Sequence, residues 1–246
     1  MDFGANRVLD NISLKIPGGR KTVLIGPAAS GKTVLMKCIA GIHTPTSGSI
    51  TLDGHPITGV SARERDARLE HTGVLFQQGG LFDSLKVWEN ISFKLVNKDG
   101  MARTRARDIA IEKLARVNLP ASTADLLPSE LSGGMQKRVG IARVLASQPS
   151  LMLLDEPTAG LDPITTKAIY RLLDKSTEDS DTTVFAITSD MESARTQYDY
   201  MIMLHEGRIV WRGAVRDIDA QGNEYVLQLI NGRAAGPIRM RLKARA

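Results

Sequence analysis

Residues Gly26 to Thr33 read Gly-Pro-Ala-Ala-Ser-Gly-Lys-Thr, which is the spacing G-x-x-x-x-G-K-[ST] of a phosphate-binding loop. The apolar run Thr22-Val23-Leu24-Ile25 before it predicts a short strand, and Val34 to Ile39 after it predicts a helix. A chance match lacks that strand–loop–helix context. Gly26 and Gly31 allow the backbone to curl until successive N–H groups point at one anion, with Pro27, Ala28, Ala29 and Ser30 as the body of the curl. The helix opening at Gly31 adds its positive dipole end. Lys32 reads as a point charge between the outer phosphates and the Thr33 hydroxyl as a magnesium ligand.

Further along, Leu151-Met152-Leu153-Leu154 is closed by two carboxylates, Asp155 and Glu156. In a doubly wound sheet, ligands gather at the carboxyl ends of the strands. Asp155 is therefore expected opposite Thr33, holding magnesium directly or through water. Glu156 points elsewhere and is the candidate to orient or deprotonate an attacking water. Two acids after a strand can also be a plain helix cap; the phosphate loop favours the chemical reading. A second anion site lies in Leu131-Ser132-Gly133-Gly134-Met135. Ser132 takes the cap position, and two glycines expose backbone N–H groups at the start of a helix running to Leu145. One phosphate loop cannot use both sites on the same γ-phosphate. The natural resolution is two chains set head to tail, each completing the other's site.

The remaining pattern alternates strands and helices, which indicates an α/β sheet with helices on its faces. Val8 to Ile16 and Ser49 to Asp53 predict strands of a small antiparallel layer, the first turned back at Pro17-Gly18-Gly19. Gly73 to Phe76, Thr183 to Thr188 and a hairpin around Glu206-Gly207 supply further strands. Residues 87–146 carry helical periodicity and read as a helical subdomain inserted in the sheet. Asp162-Pro163 is a cap and first-turn pair for the next helix.

The 246 residues, 42% apolar, suffice for one large domain, residues 1–246. No run reaches the roughly 18 apolar residues of a membrane span, and Met1 to Asn6 has no charged-then-apolar secretory pattern. The single cysteine, Cys38, excludes an internal disulfide and reads as a buried filler, a reactive thiol being the alternative, in a reducing compartment, the cytoplasm. The net charge of +5 lies wholly from Gly207 onward, with eight basic against three acidic residues. A basic tail, residues 213–246, fits an anionic membrane surface or an acidic partner; a solvated tail is the plain alternative. A nucleic-acid binder would carry its basic stripe on the body, and aromatics at 4% leave little surface for base stacking. No nucleic-acid partner is expected.

The phosphate loop, Gln77, the Leu-Ser-Gly-Gly signature, the carboxylate strand and Ala159-Gly160-Leu161-Asp162 together resemble the nucleotide-binding domain of ATP-binding cassette (ABC) transporters. The resemblance covers nearly the whole chain. It implies a phosphate-loop NTPase with a RecA-like core, two copies sandwiching two ATP molecules with Mg2+, and hydrolysis. Gln77 would contact the magnesium and the water. Ser132, Gly133, Gly134 and Met135 would meet the γ-phosphate held by the opposite copy, and Asp162 would lie at the dimer interface. Phe3 matches the aromatic that stacks on adenine, with simple packing an equal alternative.

Three departures stand out. The family usually begins with another strand before the aromatic. Met135 stands where many members have Gln. After the strand ending near Ile187, Ser189 occupies the place of the family's γ-phosphate-sensing histidine. Loss of one preorganised donor costs about 10²–10³ in rate; serine retains one donor. The expectation is a slow but real ATPase in which Glu156 stays essential. Ser189 and Asp190 as a plain helix cap is the other reading.

Residues Phe76 to Leu85, Leu204 to Trp211 and the tail Gln228 to Ile238 resemble ATPases of bacterial lipid transporters of the Mla/Mce type. That resemblance implies a homodimer at the cytoplasmic face of the inner membrane. The partners would be a transmembrane permease, an Mce-type substrate-binding protein and a small STAS-domain protein, and phospholipid would move between inner and outer membranes. A polar-solute importer of the amino-acid type is the alternative. A soluble ABC ATPase acting on ribosomes or DNA, or a non-hydrolysing regulator, fits less well.

Overall fold

The computed structural model describes residues 1–4, 6–77 and 80–239. A hairpin of β1 (Asp2–Phe3) and β2 (Asn6–Arg7) comes first. β3 (Lys21–Ile25) then leads through the phosphate loop into α1 (Lys32–Ile39). A second hairpin joins β4 (Thr51–Leu52) and β5 (His55–Pro56), and α2 (Ala62–Arg68) precedes β6 (Thr72–Leu75). Between β6 and β7 lie α3 (Val87–Ile91), α4 (Phe93–Asn97), α5 (Arg103–Arg116) and α6 (Gly133–Ala146). The chain returns through β7 (Leu151–Asp155), α7 (Pro163–Ser180), β8 (Thr183–Ile187), α8 (Met191–Thr196), β9 (Tyr200–His205) and β10 (Arg208–Ala214). It ends with α9 (Ile218–Gln221) and α10 (Glu224–Ile230).

The main sheet runs β10-β9-β3-β8-β7-β6, parallel throughout except for β10, which pairs antiparallel with β9. Its strands read as continuous apolar runs because both faces are covered. Val23, Ile25, Met152, Leu154, Val184, Ala186, Met201 and Met203 face one core, shared with α3, α5, α6 and α7. Their sequence neighbours Leu24, Leu153, Phe185, Ile187, Ile202 and Leu204 face the other, against Leu35, Met36 and Cys38 of α1. The period of two along each strand thus divides the residues between two helix layers. Each fully buried Leu, Ile or Phe contributes about 1.5–3 kcal/mol. Cys38 is buried as expected, and that burial pushes its thiol pKa up.

The small antiparallel layer is thinner than the pattern predicts. It consists of the two hairpins alone, with two residues per strand. Val8 to Ile16 forms no strand, although Leu9 is buried and Ile12, Leu14 and Ile16 pack on the α1-side core. This segment lies beside β10 across a cleft of about 660 Å³. Arginine side chains bridge that cleft: Arg208 donates to Asp10 (2.5 and 2.9 Å) and Arg212 to the Ser13 carbonyl (3.2 Å). Alternation buries one side of the segment. A strand also needs a run of ladder hydrogen bonds; backbone contact here stops after Val8, Leu9 and Asp10, whose N–H groups donate to the Met1 and Gly207 carbonyls, and beyond Asp10 side chains span the gap.

Past α10 the tail folds back. The buried Gln228 donates through Nε2 to the carbonyls of Arg233 and Ile238 and accepts the Ile238 N–H at 2.8 Å. The last seven residues of the expected basic tail lie outside the described residues, as do Gln78 and Gly79 of the Phe76–Leu85 segment. Among the described residues, no helix is long and apolar enough to cross a membrane.

Candidate active site

Parallel register builds the site. Leu75 pairs with Leu154, Asp155 with Ile187, and Leu24 with Ile187. The segments that follow β3, β6, β7 and β8 therefore leave the sheet at one edge, bringing the phosphate loop, Gln77, Glu156 and Ser189 to it.

The loop is shaped by close backbone approach. Gly26 has φ +151, and a Cβ there would lie 2.0 Å from the Leu204 carbonyl oxygen; Gly31 caps α1 at φ +103. Ala29 also takes a positive φ of 58. The N–H groups of Ala28, Ala29, Gly31, Lys32 and Thr33 find no acceptor among the described residues, so the curl presents them together. The buried Ser30 Oγ likewise has no partner. Lys32 Nζ folds over the loop and donates to the carbonyls of Gly26 and Pro27, both at 2.8 Å. Burial lowers the Lys32 pKa, while Glu156 and Asp155 oppose that shift.

Thr33 Oγ1 donates to Asp155 Oδ2 at 3.1 Å, placing the two expected magnesium ligands together. A hydroxyl and a carboxylate are the hard oxygen donors that magnesium takes, and the unpaired N–H groups suit a polyphosphate; the residues present fit Mg-ATP. Burial pushes the Asp155 pKa up, the Thr33 hydrogen bond lowers it, and the neighbouring Glu156 charge raises it. Glu156 continues the ladder by donating its N–H to the Ile187 carbonyl at 2.9 Å. It then turns at φ +52, a conformation costing an L-residue about 1–2 kcal/mol. That turn sends the chain after Asp155 out of the sheet, and nothing in the sequence announces it.

Ser132 caps α6, its Oγ accepting the Met135 N–H at 3.3 Å. A Cβ at Gly133 would meet open space. Gly133, Gly134 and Gln77 line one cleft of about 450 Å³, together with Gln136, Lys137, Ala159 and Gly160. Lys137 escapes a motif reading. Its signal was its position three residues after Gly134, on the same helix face.

Asp162 caps α7, accepting the N–H groups of Ile164 and Thr165 and the Thr165 hydroxyl. Asp190, not Ser189, caps α8; Ser189 is exposed at the site edge. Phe3 is 46% exposed and sets its edge against His43, ring centroids 5.6 Å apart. It is placed neither in the core nor in the phosphate loop.

A model of the ABC transporter family matches residues 9–159. The probable ribonucleotide transport ATP-binding protein Mkl of Mycobacterium tuberculosis is 38% identical over 97% of this chain, and the match spans 66% of its own length. The intermembrane phospholipid transport system ATP-binding protein MlaF of Escherichia coli is 32% identical over 98% of this chain and 89% of its own. Among solved structures, an ATP-binding cassette in a dimeric, post-hydrolysis state bound to ADP and Pi superposes with a TM-score of 0.80. That match has 32% identity and covers 85% of this chain and 91% of the other.

Proposed function

This chain belongs to the ABC transporter family, and from that premise we propose that it is the ATP-hydrolysing subunit of a membrane transporter that moves phospholipid. The observation that carries the ATPase reading is the 3.1 Å contact between Thr33 of the phosphate loop and Asp155 at the end of β7. It joins a polyphosphate cradle to a hard-cation site at one sheet edge. When bound, magnesium supplies charge neutralisation across the outer phosphates. Lys32 exchanges its two loop carbonyls for phosphate oxygens. Glu156 orients the attacking water and takes up its proton, and Gln77 contacts that water from the neighbouring loop. Ser189 offers one hydroxyl donor where a histidine is usual. The γ-phosphate is completed by Ser132, Gly133 and Gly134 of a second copy, so the working unit is a head-to-tail homodimer. Likeness to a dimeric cassette supports this arrangement.

Glu156→Gln is the direct test: Mg-ATP turnover falls at least a hundredfold while the full-length chain still binds ATP. Turnover equal to the parent's would refute the assignment. The lipid substrate rests on MlaF and on the tail and Phe76–Leu85 segments. It brings with it an inner-membrane permease, an Mce-type substrate-binding protein, a STAS-domain partner and a place on the cytoplasmic face. A polar-solute transporter is the second reading, favoured by the name of Mkl, ribonucleotide transport. Purification of the complex from solubilised membranes separates them: co-purifying phospholipid and an Mce-type protein support the first, a soluble solute receptor the second.

A further inference from the structure

The two halves of the site on one copy serve different nucleotides. The phosphate loop and Glu156 act on the copy's own ATP, and the signature turn at Ser132–Gly134 acts on the partner's. One side chain spans them. Lys137 follows Gly133 by four residues and Gly134 by three, on the same face of α6. Its Nζ donates to the carbonyl of Ala159 at 2.5 Å. Ala159 belongs to the loop that leaves Glu156, and its N–H donates to the Glu156 carbonyl at 3.4 Å. Within that loop the only other backbone hydrogen bond among the described residues is Leu161 N–H to Thr158, at 3.1 Å. Ala159 and Gly160 are exposed, so the lysine is a main tether of this stretch. A Cβ at Gly134 would lie 3.3 Å from Leu161 Cδ2, so helix and loop are already in close approach there.

The neighbouring cation does something different. Arg138 donates to the carbonyl of Asn118 in the helical subdomain, at 2.8 Å. α6 thus holds the chain after α5 with Arg138 and the loop after Glu156 with Lys137. Burial lowers the Lys137 pKa while Glu156 and Asp155 oppose that shift, which places the ammonium within electrostatic reach of both carboxylates.

We infer that Lys137 is a positioning residue that locks the signature turn to the Glu156–Leu161 loop of the same copy, so that the half-site lent to the partner and the half-site kept at home move as one piece. This rests on the composite-site reading above and adds a residue to it. In that role Lys137 need not touch nucleotide; it fixes the geometry of groups that do.

The experiment uses the full-length chain with Lys137→Met, Lys137→Arg, and Lys137→Met combined with Glu156→Gln. kcat and the KM for ATP are measured for the first two. ATP-dependent dimerisation is measured by sedimentation for the third, against Glu156→Gln alone. Loss of one charge-assisted hydrogen bond at a positioning site lowers kcat about tenfold with KM within about twofold, and Arg, which keeps the charged donor, recovers most of it. The double variant dimerises more weakly with ATP than Glu156→Gln alone. The inference is overturned if Lys137→Met hydrolyses and dimerises like its parent. It is equally overturned if Arg recovers nothing and both variants melt lower together, the mark of a packing role. A parent that neither hydrolyses nor dimerises with Mg-ATP instead removes the composite site itself.

Discussion

At the scale of single residues, the site depends on backbone positions more than on side-chain identity. Gly26 is fixed by the Leu204 carbonyl that would collide with any Cβ, so the motif glycine also serves packing against β9. Glu156 takes a left-handed φ that its residue type disfavours. Spacing revealed its candidacy; the turn did not show because it depends on the Ile187 carbonyl across the sheet. Lys137 stayed hidden for a related reason. Its partner is a backbone carbonyl 22 residues away, and no side-chain pattern encodes it. Ser189 was legible in place but not in consequence. It stands exposed while Asp190 takes the capping role, so its hydroxyl is not engaged in the α8 cap. A serine is a shorter donor than imidazole, and one preorganised donor to a transferring group is worth about 10²–10³ in rate. Ser189→His is therefore expected to raise steady-state turnover about tenfold, since serine already recovers part of that donor. A fall in phosphate release would show a pocket adapted to the smaller side chain.

At the scale of elements, caps and strands were read from sequence where the cause is local. Asp162 before Pro163 and Ser132 before two glycines each cap the helix they precede. Val8 to Ile16 differs from its pattern because alternation is local while a ladder partner is not; only its first residues reach a neighbouring backbone, and arginines from β10 span the rest. Local capping also sets a pH dependence in the helical subdomain. Glu89 Oε2 accepts the Lys86 N–H at 3.0 Å at the start of α3, and its other oxygen pairs with Arg103. The Lys86 backbone hydrogen bond comes first, with Arg103 adding to it against a burial penalty. Together they hold the Glu89 carboxyl below its ordinary 4.5. A folded-state pKa below the unfolded one gives stability that is fully present above 4.5 and lost as pH falls through the folded value. Glu89→Gln keeps an oxygen for the cap but drops the charge. It is expected to cost about 1 kcal/mol at pH 7, read from urea melts, and the difference from the parent should shrink to nothing well below 4.5. A gap that persists unchanged into acid would mean the charge contributes nothing.

At the scale of the whole molecule, the sheet was the most legible feature, because two-face burial writes continuous apolar runs into its strands and the parallel register then fixes which residues share an edge. What one chain cannot display is the surface that a second copy covers. Ile164 marks it. It sits in the first turn of α7, 81% exposed, beside Asp162 and the exposed Ala159 and Gly160. An isolated exposed isoleucine has no meaning of its own. This one follows the loop that lines the signature cleft, where the composite reading puts the partner. Burying it is worth about 1.5–3 kcal/mol, and a two-fold pair counts it twice. Ile164→Asp is therefore expected to abolish ATP-dependent dimerisation of the Glu156→Gln chain in sedimentation. It should shift the melting temperature little, because the side chain makes no core contact, and leave ATP binding by the single chain intact through the phosphate loop. In the hydrolysing parent background, turnover should fall in step with the lost dimer. An Ile164→Asp chain that dimerises as before would place the partner's surface elsewhere and separate the signature cleft from the second copy.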